Sequence, residues 1–158
     1  SATSEVLRRA AGAATRALAG TGSVALSLPT ADADGVAAFD GLLLDVRAPE
    51  RYRGEVEPID AQAGHIPGAV NRPVAGYWTA DGTLPDEARL RELLALPAET
   101  VPEERPSRRV AVYCGSGVSA AQVVLALASI GVDAELYPPS WSGWSADPSR
   151  PVAVGAQE

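Results

Sequence analysis

The sequence predicts an α/β fold, an open parallel sheet with helices on both faces. Three observations carry this reading. Residues 42–46, 109–113 and 132–137 are short runs dominated by aliphatic side chains, as in strands buried on both faces. Residues 86–96 and 120–130 have the length and apolar content of packed helices. Strand and helix therefore alternate along the chain, and the alternation supplies the crossovers that a parallel sheet needs.

At 158 residues, with 46% hydrophobic and 21% charged side chains, the chain has the composition of a globular domain of ordinary size. A formal charge of -7 argues against nucleic acid or an anionic membrane as partner. The single cysteine excludes an internal disulfide and a cysteine-built zinc site, and the single histidine leaves little for any metal, so no cofactor is expected. No apolar run reaches transmembrane length and no signal peptide is visible, which makes the cytoplasm the expected compartment. The chain starts at Ser1 and contains no methionine, as expected of a processed chain or a fragment.

Taken in order, residues 4–18 read as a helix with Ser4 as N-cap and Gly20 as stop, and residues 1–25 as a helical linker or the remnant of a preceding domain. Residues 26–158 then form the main domain. Residues 26–29 suit a short edge strand, and Asp32 opens a brief helix that runs through Phe39. The strand at 42–46 leads into residues 47–52, which begin where open α/β sheets place their ligands. Residues 54–64 read as loop and 69–71 as a short strand. The helix at 86–96 has an acidic first turn, and the proline-rich, charged stretch 97–107 is a surface loop. The strand at 132–137 ends in Pro138-Pro139-Ser140-Trp141-Ser142-Gly143-Trp144.

The chemistry concentrates where the strand at 109–113 meets the helix at 120–130. The joint is Cys114-Gly115-Ser116-Gly117-Val118-Ser119. Its two glycines let the backbone curl until successive N–H groups point at one atom, and the helix start adds partial positive charge. The atom they would surround is the Cys114 sulfur. Such a cradle favours a thiolate, a persulfide or a bound oxyanion, and a cysteine nucleophile needs this strand-loop-helix setting.

A second stretch, Asp45-Val46-Arg47-Ala48-Pro49-Glu50-Arg51-Tyr52, is followed by Glu57-Pro58 and by Gly64-His65-Ile66-Pro67-Gly68-Ala69. With the cysteine loop and the late Ser140-Trp141-x-x-Trp144 motif, these resemble the rhodanese family. The order is similar to that of the catalytic C-terminal half of the two-domain thiosulfate and 3-mercaptopyruvate sulfurtransferases. The resemblance implies a rhodanese-like sheet and an enzyme that moves a sulfane sulfur from thiosulfate or 3-mercaptopyruvate to cyanide or a thiol through a persulfide on Cys114. Its partners would be a small anionic sulfur donor and a thiol or cyanide acceptor.

Arg51 is expected to hold the donor's sulfonate or carboxylate, since guanidinium offers oxyanions two donors. Arg47 is the second substrate-binding candidate, with pairing to Glu57 as its alternative role. Gly115, Ser116, Gly117, Val118 and Ser119 complete the expected binding loop. Tyr52 is expected to pack, Arg53 to lie on the surface, Glu57-Pro58 to anchor the loop, and His65 to make a structural hydrogen bond. Trp141 and Trp144 either wall the site or belong to the core.

At Ser116 thiosulfate-preferring rhodaneses usually carry a lysine, whereas a serine is typical of the mercaptopyruvate type. Three departures from the family stand out. Many mercaptopyruvate enzymes carry an arginine where this chain has Ile59, and the late motif normally reads with Gly and Glu where it has Pro139 and Gly143. Relative to the two-domain enzymes, a missing N-terminal rhodanese domain is expected. That half would cover the catalytic loop, so exposed apolar surface is expected near Trp141, Trp144 and Val118, with weak homo-oligomerisation or an added domain covering it. A phosphatase of this fold needs an arginine at position 120, which is Ala120. A non-catalytic rhodanese-like binding or regulatory module usually lacks the cysteine, which is present here.

Overall fold

The computed structural model describes residues 30–75, 77–79, 82–94 and 109–156. The helix expected at 4–18, the edge strand at 26–29 and the loop at 97–107 lie outside the described residues, as do the last two positions of the helix expected at 86–96.

Four parallel strands form one sheet: β1 (Leu42–Asp45), β2 (Val70–Asn71), β3 (Val110–Tyr113) and β4 (Ala134–Leu136), in the order β2-β1-β3-β4. Leu44 lies opposite Val70, Asp45 opposite Tyr113, and Val112 opposite Leu136. Thr30 adds a parallel bridge beside Leu136. The helices are α1 (Ala33–Ala37), α2 (Pro49–Tyr52), α3 (Glu87–Leu94), α4 (Val118–Ser129) and α5 (Ser140–Ser145). None of them is long and apolar enough to cross a membrane.

Strand side chains alternate between two cores, because successive Cβ atoms point to opposite faces. Leu44, Val110 and Val112 pack with Leu90 and Leu94 of α3 and with the apolar side of α4. Leu43, Ala111 and Tyr113 face the other way, against Val36 of α1, Tyr52 of α2 and Trp141 and Trp144 of α5. All four β3 side chains are buried, which is why that strand reads as an unbroken apolar run.

The strand order creates a crevice. From β1 the chain crosses to β2 on one side, whereas from β3 it crosses to β4 on the other. Ligands of open α/β sheets bind at the carboxyl ends of strands that diverge in this way. Here those ends carry the residues following Asp45 and Tyr113.

Candidate active site

The loop after β3 brings Cys114 to that crevice. Its side chain is buried, and the Gly117 N–H donates to Sγ at 3.1 Å. Gly117 sits at φ 82°, a left-handed conformation that costs other L-residues roughly 1–2 kcal/mol. That turn lets the chain double back and enter α4. The Cys114 and Gly115 carbonyls accept from the Trp141 and Ser142 N–H groups at 2.9 and 3.0 Å. With those carbonyls turned toward α5, planar trans peptides send the Gly115 and Ser116 N–H groups the opposite way.

Ser140 completes the support. Its Oγ accepts from the Cys114 N–H at 3.1 Å and donates to the Tyr137 carbonyl at 2.9 Å. Sγ lies 4.0 Å from the same oxygen, so the one hydroxyl proton belongs with the nearer carbonyl. Ser140 is the one non-glycine residue at positive φ among the described residues, at 53°.

Arg51, on α2, faces the loop. A Cβ on Gly115 would stand 3.4 Å from Arg51 Nη1, so the glycine leaves room for the guanidinium. On its other side Arg51 Nη2 donates to Glu57 Oε1 at 2.6 Å and lies 3.5 Å from Asp60 Oδ2. Its Nε is buried without a hydrogen-bond partner. Arg47 is deeper and differently engaged. Its Nε and Nη2 grip the buried Asp45 carboxylate, Nη2 also donates to the Gly64 carbonyl at 2.6 Å, and Nη1 reaches Glu57 Oε2 at 3.4 Å. The guanidinium also lies 4.6 Å from the Trp141 ring centroid. Arg47 thus ties β1 to the 54–64 loop.

Glu57 binds that loop together. It accepts from both arginines and from the Ile59 and Asp60 N–H groups. Burial pushes its carboxyl upward, but Arg51 and the two amides outweigh this and hold it below its ordinary value of 4.5.

His65 lies elsewhere, stacked on Tyr52 with ring centroids 3.8 Å apart, and its Nδ1–H donates to the Tyr52 carbonyl at 2.8 Å. Burial pushes it below its ordinary value of 6.5, against the opposing effect of that hydrogen bond. Tyr52 is buried and donates to the Ala69 carbonyl. Arg53 is paired with Glu55 at the surface.

These elements enclose an open pocket of about 370 Å³. Cys114, Gly115, Ser116 and Ser119 line it from the loop and α4, and Arg47 and Arg51 from the β1 side. Gly117 contributes its N–H beneath the sulfur, and Val118 begins α4 without lining the pocket. Val46, Ala48, Val74 and Ile59 form an apolar wall, and Ser142 closes the α5 side. Sequence reasoning missed Ser142, Asp60 and the Val46, Ala48 and Val74 part of this wall, and it named Ser140 only within a motif and Ile59 only as a departure from the family. Asp60 follows the Glu57-Pro58 pair and could have been found from it.

One expectation is corrected. Trp141 and Trp144 are core residues, completely or almost completely buried, with their Nε1–H groups donating to the Gln62 and Pro151 carbonyls. The apolar surface expected at these two residues is therefore absent, since neither contributes exposed area. The exposed large apolar side chains among the described residues are Val56, Ile59 and Val154.

Comparison with known proteins adds family and fold. The model of the rhodanese-like domain matches residues 30–147. A Mycobacterium tuberculosis protein named as thiosulfate sulfurtransferase SseB is 56% identical over 113 residues, covering 72% of this chain and 38% of that protein. The 3-mercaptopyruvate sulfurtransferase of Escherichia coli K12 is 39% identical over 117 residues, covering 70% of this chain and 38% of that protein. The chain thus spans about two fifths of the length of these curated relatives. Among solved structures, YnjE superposes with a TM-score of 0.69 at 22% identity over 81% of this chain and 33% of the other. An anaerobic ergothioneine biosynthesis enzyme from Chlorobium limicola, bound to trimethyl histidine, superposes with a TM-score of 0.68 at 25% identity, covering 81% of this chain and 32% of that one.

Proposed function

This chain belongs to the rhodanese family, and from that premise we propose that it is a sulfurtransferase in which Cys114 carries the sulfur. The observation supporting this most directly is the Cys114 sulfur in a pocket, with an N–H donor beneath it and the Arg51 guanidinium across Gly115.

A donor such as thiosulfate or 3-mercaptopyruvate sets its oxyanion against Arg51 and turns its sulfane sulfur or thiol sulfur to Cys114. With thiosulfate, the Cys114 thiolate attacks the outer sulfur, a new S–S bond forms, and the old one breaks with its electron pair leaving on sulfite. The persulfide's negative charge is met by the Gly117 N–H, which already donates to the Cys114 sulfur. Cyanide or a thiolate then attacks the outer sulfur and regenerates the Cys114 thiolate. Ser116 and Ser119 offer hydroxyl donors along the route. No histidine lines the pocket, so proton transfer falls to these hydroxyls and solvent.

Incubation with a sulfane donor is expected to add the mass of one sulfur, which cyanide removes as thiocyanate. Sulfur uptake by Cys114→Ser of the same stoichiometry would refute the assignment.

A further inference from the structure

Resting on the sulfurtransferase reading, we infer that Asp60 is a positioning residue, the carboxylate to which Arg51 turns from Glu57 when an anion enters the pocket. Arg51 thus has two settings, one held by each carboxylate.

Hydrogen bonds around Arg51 are unevenly shared. Glu57 Oε1 accepts three, from Arg51 Nη2 at 2.6 Å and from the Ile59 and Asp60 N–H groups at 3.1 and 3.3 Å, while Oε2 takes Arg47 Nη1 at 3.4 Å. Asp60 Oδ2 is buried and accepts none. It lies 3.5 Å from the same Arg51 Nη2. Arg51 Nε is also buried and donates to no protein atom. A donor and an acceptor, both desolvated and both unused, therefore stand on adjacent side chains, and leaving such groups unmade is costly.

A side-on pair between guanidinium and carboxylate uses Nε and one Nη together. The unused Nε and the nearby Nη2 form that edge, and closing 3.5 Å to a normal charge-assisted contact takes a shift of under about 1 Å. Glu57 gives up little, because two amides and Arg47 still hold it. Space for the movement lies beside Gly115, where a Cβ would stand 3.4 Å from Nη1 and 3.9 Å from Nη2. An oxyanion at Nη1 shares the guanidinium with whichever carboxylate holds its other edge. With Glu57 on Nη2 alone, Nε stays unpaired; with Asp60 on Nε and Nη2, every edge is used. Asp60 does not line the pocket, so it acts through Arg51 rather than on the donor.

The test separates the two half-reactions. Thiosulfate loading of Cys114 is followed by mass in single turnovers, and removal of that sulfur by cyanide is followed as thiocyanate. Asp60→Asn keeps the backbone N–H that binds Glu57. It is expected to slow loading roughly three- to tenfold, since a charged partner becomes neutral, and to leave the cyanide step unchanged. The sign separates this role from simple proximity: a carboxylate that only stood near the anion would repel it, and its neutralisation would speed loading. In an Arg51→Ala background Asp60→Asn should change nothing, because the two side chains act as one unit. Asp60→Glu, which keeps the charge, should recover most of the loading. Faster or unchanged loading in Asp60→Asn, the same fold-loss with and without Arg51, or a glutamate variant no better than asparagine would overturn the role of Asp60 and leave sulfur transfer intact. Wild-type protein that takes up no sulfur from thiosulfate or 3-mercaptopyruvate would instead overturn the sulfurtransferase reading.

Discussion

Arg51 and Arg53 are neighbours of one type with different surroundings, so they form a matched pair for testing the site. Arg51 faces Gly115 across the pocket, whereas Arg53 pairs with Glu55 in solvent. Arg51→Ala is expected to lower transfer efficiency by roughly ten- to more than a hundredfold, the loss of a charge-assisted contact of about 1.5–3 kcal/mol. Arg53→Ala should stay near wild type, and equal effects in steady-state kinetics would argue against this geometry. Ser140 offers a second residue-scale test. Ser140→Gly removes the Oγ acceptor but suits the positive φ, whereas Ser140→Ala removes the acceptor and keeps the strain. Both should lose stability in urea unfolding, by about 1–3 kcal/mol for an orphaned buried N–H, with alanine the worse of the two. Alanine as stable as wild type would show that the hydrogen bond to Cys114 carries no weight. Cys114 and Arg51 were legible because local motifs frame them. Ser140 was not, since its role depends on a backbone angle and on a partner supplied by another strand's loop.

At the scale of elements, the strands were legible because burial on both faces leaves an unbroken aliphatic signature. The short helices α2 and α5 were not, because four and six residues hold too little periodicity to register. Yet α5 fixes the active loop, through the Trp141 and Ser142 N–H groups on the Cys114 and Gly115 carbonyls. Gly143 lets α5 begin where it does, since a Cβ there would lie 2.4 Å from the Pro139 Cβ. Gly143→Ala should therefore displace the start of α5, cost roughly 1–3 kcal/mol of stability, and reduce sulfur transfer with it. Gly131→Ala is the control: its φ of 75° also strains an alanine, but no atom lies near the added carbon. It should lower the unfolding midpoint while leaving transfer kinetics unchanged. If the two variants change kinetics equally, α5 does not hold the loop.

At the scale of the molecule, the sheet with two covered faces was legible from alternating strands and helices, and so was the Arg47–Glu57 pair that ties β1 to the 54–64 loop, whereas the part Asp45 plays in that ionic knot was not, because Asp45 lies within an aliphatic run. His65 belongs to this scale, since its backbone bridges to Ala153 and its ring packs on α2. Burial holds its folded pKa below 6.5, so as pH falls through 6.5 the unfolded chain takes up a proton that the folded chain refuses. Stability is therefore complete above that value and declines below it. Glu57 adds a separate loss at lower pH, below 4.5, as its paired carboxylate is protonated. Melting temperatures should be level at neutral pH and fall as the pH drops below 6.5 in wild type, and His65→Gln should flatten that slope; a level profile in the wild type would contradict it. The pairing of β1 with β3 carries a consequence of timing. Arg51 and Cys114 are far apart in the chain and meet only when those two parallel strands dock, a non-local contact that forms late because a long loop must close first. Until then the thiol has neither roof nor cradle. Refolding in air thus exposes a bare cysteine to a second unfinished chain, and covalent dimers are the by-product expected of slow closure; a reductant kept present until the strands dock should suppress them.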